Sequence, residues 1–188
     1  MKQFFTLLIL IGILWFGLNY VGKQLRPKTA TLLDSNPDLT IDGMPVLEVI
    51  RLTGARVVDG DSIRIPTANG QEVDIRLASI DAPESQQAFG QEAAAYLESL
   101  TQGRELIGWR TGTDRYERLL TFVFVEQPDG ELFEINAQMI RAGYAWHYRQ
   151  YSSNPVLDSF EREAQTARIG LWNSAEQPVP PWEFRNEQ

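Results

Sequence analysis

The chain contains no cysteine and a single histidine, His147. The absence of cysteine excludes disulfide frameworks, zinc–thiolate sites, iron–sulfur clusters and cysteine nucleophiles. One histidine excludes a histidine-rich metal centre and leaves at most one candidate for a Ser–His pair. We therefore expect any catalysis to depend on carboxylates and arginines, with His147 in a structural role.

Lysine is missing from residue 31 onward. Residues 31–188 carry 13 arginines and 25 acids, which gives a net charge of −12. A domain of this charge is repelled overall by nucleic acid, because affinity for polyanions comes mainly from neutralising phosphates. A polyanion can then bind only at a local cluster of arginines or at a bound divalent cation.

The longest uncharged run covers residues 3–22, with Lys2 before it and Lys23 after it. As a helix, 20 residues span roughly 30 Å, the thickness of the bilayer core. We therefore expect residues 1–22 to form one N-terminal transmembrane helix, either an anchor or an uncleaved signal. A signal peptide that is cleaved, with secretion of the remainder, is the alternative.

The remaining length suits one folded domain after a short connection. Residues 23–48 mix proline, Asp, Asn and Thr without sustained periodicity, which predicts a linker. Residues 49–188 are then the domain. Alternating apolar patterns predict strands, and apolar residues at helical spacing predict helices. The predicted strands are Val49–Val58, Ser62–Pro66, Glu72–Ala78, Glu105–Trp109 and Leu119–Val125, and the predicted helices are Gly90–Gln102, Asn136–Ala142 and Val156–Ile169.

This order predicts an α+β, mainly β fold. Five short strands bury their apolar faces and lose their edges when they close into a barrel, with about three helices covering its ends. Two acidic clusters interrupt the strand region, Asp59-Gly60-Asp61-Ser62 and Asp81-Ala82-Pro83-Glu84. Each alone is explained by a hairpin turn or by a strand leading into a loop. If the strands bring both to one rim, their hard oxygen atoms suit calcium.

Two arginines flank these acids in the sequence. Arg76 lies in a predicted strand and Arg118 opens another. A lone strand arginine in an acidic protein is usually a surface ion pair. Beside converging carboxylates, however, guanidinium groups would match phosphate oxygens two at a time.

Five motifs together resemble the staphylococcal nuclease (thermonuclease) family, in its order and at compatible spacing. They are Val58-Asp59-Gly60-Asp61-Ser62, Ile75-Arg76-Leu77, Ile80-Asp81-Ala82-Pro83-Glu84, Gly90-Gln91-Glu92-Ala93 and Asp114-Arg115-Tyr116-Glu117-Arg118. The closing Pro180-Pro181-Trp182-Glu183-Phe184-Arg185 extends the resemblance, which covers residues 49 to 185. It implies a five-stranded OB-fold barrel and a calcium-dependent phosphodiesterase that acts on DNA and RNA.

By position, the resemblance assigns three ligands to Ca²⁺ and three catalytic residues. The ligands are Asp61, Asp81 and the backbone carbonyl of Ala82. The catalytic residues are Arg76 and Arg118, which clamp the phosphate, and Glu84, which activates water. The family cleaves the P–O5′ bond and leaves a 3′-phosphate. No obligate protein partner is implied.

The resemblance also indicates substrate contacts. Arg115 and Tyr116 match positions that line the nucleotide pocket. Tyr148 and Tyr151 are candidates for base stacking, with plain surface packing as the alternative. The chain departs from the family at Glu117, where glycine is common, and the added acid beside Arg118 either points away or weakens substrate binding.

Two classes of function follow. The first is a membrane-tethered, calcium-dependent nuclease with little sequence specificity; the second is a non-catalytic OB-fold module that binds protein or oligonucleotide. The presence of Arg76, Glu84 and Arg118 favours the enzyme. We expect its domain to face away from the cytoplasm, because a non-specific nuclease would degrade the cell's own nucleic acids and free calcium in the cytoplasm is low.

Overall fold

The structure, a computed structural model, describes residues 39–67 and 70–186. The predicted transmembrane helix at residues 1–22 and most of the predicted linker lie outside these ranges. None of the helices inside them combines the length and apolar character needed to cross a bilayer.

The described ranges form a mainly β structure with a few helices. The helices are α1 (Gly90–Thr101), α2 (Ile135–Arg141), α3 (Pro155–Ala167), a 3-10 helix (Gly170–Asn173) and α4 (Pro181–Phe184). The strands are β1 (Thr40–Ile41), β2 (Met44–Pro45), β3 (Glu48–Leu52), β4 (Arg56–Asp59), β5 (Ser62–Pro66), β6 (Glu72–Leu77), β7 (Ile80–Asp81), β8 (Leu106–Thr113), β9 (Leu119–Glu126), β10 (Leu132–Glu134) and β11 (Trp146–His147).

The main sheet has the order β3-β8-β9-β6-β5-β4, with β10 added to β9. Its pairs are antiparallel except for β6 and β9, which run parallel. The two ends of this order, β3 and β4, are consecutive in the chain and are separated only by residues 53–55. A bend at Gly54, with φ +70°, therefore connects the ends of the sheet. This arrangement fits the OB-like fold that was expected.

The main sheet and the helices packed against it enclose the larger of the two apolar clusters found among the described residues. Ile63, Ile75 and Leu77 are fully buried, and α1 and α2 pack against them. Helix α1 contributes Ala93 and Leu97, which are four positions apart and so share one face. The smaller strands β7 and β11 form a separate ladder in which Trp146 pairs with Asp81. That ladder places an acidic residue beside an aromatic one.

The second apolar cluster lies around Trp109, Phe122 and Phe124. Residues 39–48 were predicted as part of the linker; in the structure, residues 40–45 form the β1–β2 hairpin, Val46 is buried in this cluster, and β3 begins at Glu48. The N–H of Val46 donates to the carbonyl of Leu39 at 2.9 Å. The folded unit therefore begins by residue 39, because these aromatic side chains need an apolar cover.

Candidate active site

Asp61 lies in the tight turn between β4 and β5. Its backbone N–H donates to Oδ1 of Asp59 at 3.0 Å, which closes the turn locally. A Cβ added to Gly60 would lie 2.7 Å from the Cβ atoms of both Ala82 and Ala93. Glycine therefore allows the turn to press against the second acidic segment and against helix α1.

One guanidinium joins the two predicted carboxylate ligands. Nη2 of Arg76 lies 3.0 Å from Oδ2 of Asp61 and 2.7 Å from Oδ1 of Asp81. Nη1 of the same arginine donates to the carbonyls of Leu77 and Ile80. All three charged side chains are buried. The structure thus brings together Asp61, Arg76 and Asp81, whose convergence the sequence could only suggest.

Ala82 is tied to the same cluster. Its backbone N–H donates to Oδ2 of Asp61 at 2.7 Å, and its side chain is buried. These two partners of Asp61 nevertheless do not offset the cost of removing its carboxylate from water. Burial raises the pKa of Asp61 to about 7, against the lowering effects of Arg76 and of this N–H. Burial likewise raises the pKa of Asp81, although Arg185 and Arg76 oppose it.

Glu84 lies on the loop between β7 and α1. Its carbonyl accepts the N–H of Gln87 at 2.8 Å, and Gly90 packs so closely beneath it that an added Cβ would lie 3.1 Å from Cα of Ser85. The carboxylate is 38% exposed, and its Oε1 accepts from Nη1 of Arg185 at 2.7 Å. Glu84 is therefore held by main-chain packing and remains accessible to solvent.

Arg118 immediately precedes β9. In the parallel pairing of β6 and β9, Leu120 lies opposite Arg76, so Arg118 lies diagonally across from Arg76 and on the same face. Its Nε donates to Oδ2 of Asp114 at 2.8 Å. Among residues 39–67 and 70–186, neither terminal nitrogen of Arg118 has a hydrogen-bond partner. This half of the guanidinium is free to bind an anion.

The loop before Arg118 carries the first pair of predicted substrate contacts. Tyr116 is 64% exposed, and its ring has the guanidinium of Arg115 at 4.9 Å and that of Arg118 at 5.6 Å from its centroid. Glu117 adopts the left-handed conformation with φ 66°, which explains why glycine suits this position. The loop exposes one aromatic ring between two cations.

The second pair of predicted substrate contacts lies next to Asp81. Tyr148 stacks on Trp182 with the ring centroids 5.5 Å apart and the planes 8° apart. Burial raises the pKa of Tyr148, and Asp81 and Arg185 are near enough to shift it in opposite directions. Tyr151 meets Tyr148 edge-on at 4.9 Å and is 64% exposed. One face of Tyr148 is thus already covered, whereas Tyr151 is accessible.

Two functional candidates escaped the sequence analysis. Arg185 stood only in the closing motif, and nothing in its spacing connected it with acids about a hundred residues earlier. Gln87 carried no signal at all. Trp172 and Trp182 both pack edge-on against Trp146.

The oxygen atoms of the candidate site suit a hard cation only in part. Oxygens of Asp61 and Asp81 both lie within 3.0 Å of one cationic nitrogen, and their pKa values are raised, so added positive charge would stabilise them. The carboxylate of Glu84, which was predicted to activate water, is separated from Asp81 by Arg185. Within the described part of the chain, no group of three or more acidic or histidine side chains is arranged as a metal site. The predicted ligands that the structure brings together are the carboxylates of Asp61 and Asp81, and Ala82 is bonded to Asp61 through its backbone N–H.

Comparison with known proteins identifies one matching family and several similar nucleases. The family described as Staphylococcal nuclease homologue matches residues 74–174. An uncharacterized endonuclease of Escherichia coli is 41% identical over 133 residues, which are 71% of this chain and 83% of that protein. A micrococcal nuclease of Shigella flexneri is 40% identical over 136 residues, 69% of this chain and 77% of its own. A probable staphylococcal-like nuclease of Oryza sativa, CAN1, is 37% identical over 137 residues, 70% and 40% of the two chains.

Proposed function

Because this chain belongs to the staphylococcal nuclease family, we propose that it is a calcium-dependent nuclease that hydrolyses DNA and RNA with little sequence specificity. The nuclease names of its relatives support the general activity. The observation that carries the specific proposal is the convergence of Asp61 and Asp81 on Arg76, with Glu84 beside them. Among the described residues, three carboxylates face only the two guanidinium groups of Arg76 and Arg185, and a bound cation would balance the remaining negative charge.

The site residues have distinct roles in this proposal. Calcium, held by Asp61, Asp81 and the carbonyl of Ala82, would supply a Lewis acid that stabilises charge on the phosphate. Glu84, which is accessible to solvent, accepts a proton from the attacking water.

The two arginines bind differently. Arg76 is fixed by four contacts and contributes a buried positive charge. The terminal nitrogens of Arg118, which have no hydrogen-bond partner among the residues that the structure describes, clamp phosphate oxygens. The family resemblance implies loss of the 5′ oxygen from phosphorus and a 3′-phosphate product.

A cleavage assay tests the proposal. The full chain, purified in detergent, is incubated with single-stranded DNA or with RNA in the presence of calcium or of a chelator. We expect cleavage only with calcium, and a loss of at least about 100-fold in Glu84→Gln and in Arg118→Ala. Arg162→Ala is the matched control, since Arg162 is exposed on α3 and makes no ion pair with any residue the structure describes.

The result also decides between the two classes of function. Binding of oligonucleotide without cleavage under every condition would favour the non-catalytic OB-fold module. Cleavage that Glu84→Gln and Arg118→Ala leave unchanged would refute the assignment of these residues.

We further propose that residues 1–22 anchor the protein in a membrane, with the domain on the side away from the cytoplasm. The support is the uncharged run at residues 3–22 together with the hazard that a non-specific nuclease poses inside the cell. Protease treatment of intact cells tests the orientation. A domain that stays protected until lysis would contradict it.

A further inference from the structure

An arginine from the end of the chain lies inside the candidate site. Arg185 follows helix α4, and its Nη2 donates to Oδ2 of Asp81 at 2.8 Å. Its Nη1 donates to Oε1 of Glu84 at 2.7 Å and lies 3.3 Å from Oδ1 of Asp81. One guanidinium therefore connects the predicted general base to a predicted ligand.

Aromatic packing fixes the segment that carries this arginine. Trp182 of α4 stacks on Tyr148 and meets Trp146 edge-on, with ring centroids 6.3 Å apart. Trp146 is the β11 residue that pairs with Asp81 in β7. The tail is thus anchored to the same two-stranded ladder that presents Asp81, so Arg185 has little freedom to leave by movement of its backbone.

A second connection joins the tail to the loop of Glu84. The side-chain carbonyl of Gln87 accepts the backbone N–H of Glu84 at 2.8 Å. The amide nitrogen of Gln87 donates to the carbonyl of Val179, just before α4, at 3.1 Å. The tail therefore restrains Glu84 at both its main chain and its carboxylate.

We propose that Arg185 is a positioning residue that holds the carboxylate of Glu84 in the orientation needed to activate water; this inference rests on the proposed nuclease function. A glutamate on a loop, 38% exposed, would otherwise sample several rotamers. A charge-assisted hydrogen bond selects one of them. Both terminal nitrogens of Arg185 also contact Asp81, which is only 1% exposed and provides a rigid reference point.

The roles open to Arg185 differ in their kinetic effects. A group that orients the base acts on kcat, since the misplaced base still allows the substrate to bind. A group that binds the phosphate would act mainly on KM. A group that only neutralises Asp81 would change neither parameter when calcium is saturating.

The test is steady-state cleavage of single-stranded DNA at saturating calcium by the full chain in detergent. The variants are Arg185→Ala, Arg185→Lys, Glu84→Gln and the Glu84→Gln/Arg185→Ala double variant, with Arg162→Ala as the charge-matched control. We expect Arg185→Ala to lower kcat by about 10- to 100-fold with KM within about threefold of the wild type. Arg185→Lys recovers part of kcat, and the double variant is no slower than Glu84→Gln.

Three results would overturn the inference while leaving the proposed function intact: an unchanged kcat in Arg185→Ala, a loss confined to KM, or additive losses in the double variant. Failure of the wild type to cleave DNA with calcium would overturn both. Thermal unfolding of each variant identifies losses that come from misfolding. If Arg185→Ala does not fold, Gln87→Ala, which removes the other restraint, must lower kcat without changing KM.

Discussion

The backbone N–H of Ala82 donates a 2.7 Å hydrogen bond to Oδ2 of Asp61, so two predicted calcium ligands 21 positions apart are joined directly. This bond requires the turn at Gly60 to lie against Ala82 and helix α1. The absence of a side chain at one residue thereby sets the spacing of the site.

We predict that Gly60→Ala weakens calcium binding and lowers stability, because the new Cβ would lie 2.7 Å from two existing Cβ atoms. The expected destabilisation is about 1–3 kcal/mol, measured by denaturant unfolding. Gly112→Ala is the matched control, since its added Cβ would have a nearest neighbour at 3.6 Å. Equal behaviour of the two variants in unfolding and in calcium titration would contradict this account of Gly60.

Glu117 combines two unfavourable features, a left-handed backbone and an acid next to Arg118. We predict that Glu117→Gly stabilises the protein by about 1 kcal/mol, because glycine adopts positive φ without strain. Glu117→Gln removes the charge and keeps the strain. Both variants should lower KM for DNA, whereas only the glycine variant should raise the unfolding midpoint. If both variants raise the midpoint equally, the charge rather than the backbone is responsible.

Glu134 connects pH to stability. Burial and the nearby Asp42 raise its pKa to about 7, from 4.5 for an ordinary glutamate. Between these values the unfolded chain is ionised at this residue and the folded chain keeps the proton, so stability falls as pH rises through the window. We predict that Glu134→Gln is more stable than the wild type at pH 8, by on the order of 1–3 kcal/mol, with little difference at pH 4.

Urea unfolding at both pH values measures this effect. Glu131→Gln, on the exposed turn before β10, is the control for the loss of one acid. A stability difference between Glu134→Gln and the wild type that is the same at pH 4 and pH 8 would refute the link to ionisation of Glu134.

How much of the fold and of the candidate site could be predicted from the sequence depends on how far apart along the chain the interacting residues lie. Helix α1 was predicted at 90–102 and is found at 90–101, because its apolar spacing and the glycine after it are local signals. The single strand predicted at Val49–Val58 is instead two strands, since Gly54 bends the chain between them.

The parts that escaped prediction depend on distant contacts. Strands β1 and β2 have only two residues each, too few for an alternating pattern, and they form because Trp109 and Phe122 need a cover. Arg185 meets Asp81 across 104 positions, and a single arginine near the end of a chain has no periodicity to reveal its partner. Family resemblance supplied the acids and arginines by position but gave this arginine no role.

Tyr116 provides a test of the substrate-binding loop. We predict that Tyr116→Ala raises the Kd for single-stranded DNA by about tenfold, within the 1–3 kcal/mol that base–aromatic stacking contributes. Tyr116→Phe keeps the ring and should bind as the wild type does. Fluorescence anisotropy with labelled oligonucleotide and a chelator present, which prevents cleavage, measures the affinity. Equal loss in the phenylalanine variant would assign the contact to the hydroxyl instead.

His147 has the hydrogen-bond pattern of a hydrolytic triad, with Nδ1 at 2.8 Å from Asp158 and Nε2 at 2.8 Å from the hydroxyl of Ser152. Its surroundings argue against catalysis, because His147 and Ser152 are 1% and 7% exposed and the serine hydroxyl also accepts the N–H of Asn154. The arrangement instead connects the turn after β11 to helix α3.

We predict that Ser152→Ala lowers stability by about 1–3 kcal/mol, since it leaves a buried ring nitrogen of His147 without its partner. Nuclease activity should stay within about twofold of the wild type, and a fluorophosphonate probe should not label Ser152. Labelling that disappears in Ser152→Ala would show a second hydrolytic centre and refute the structural role.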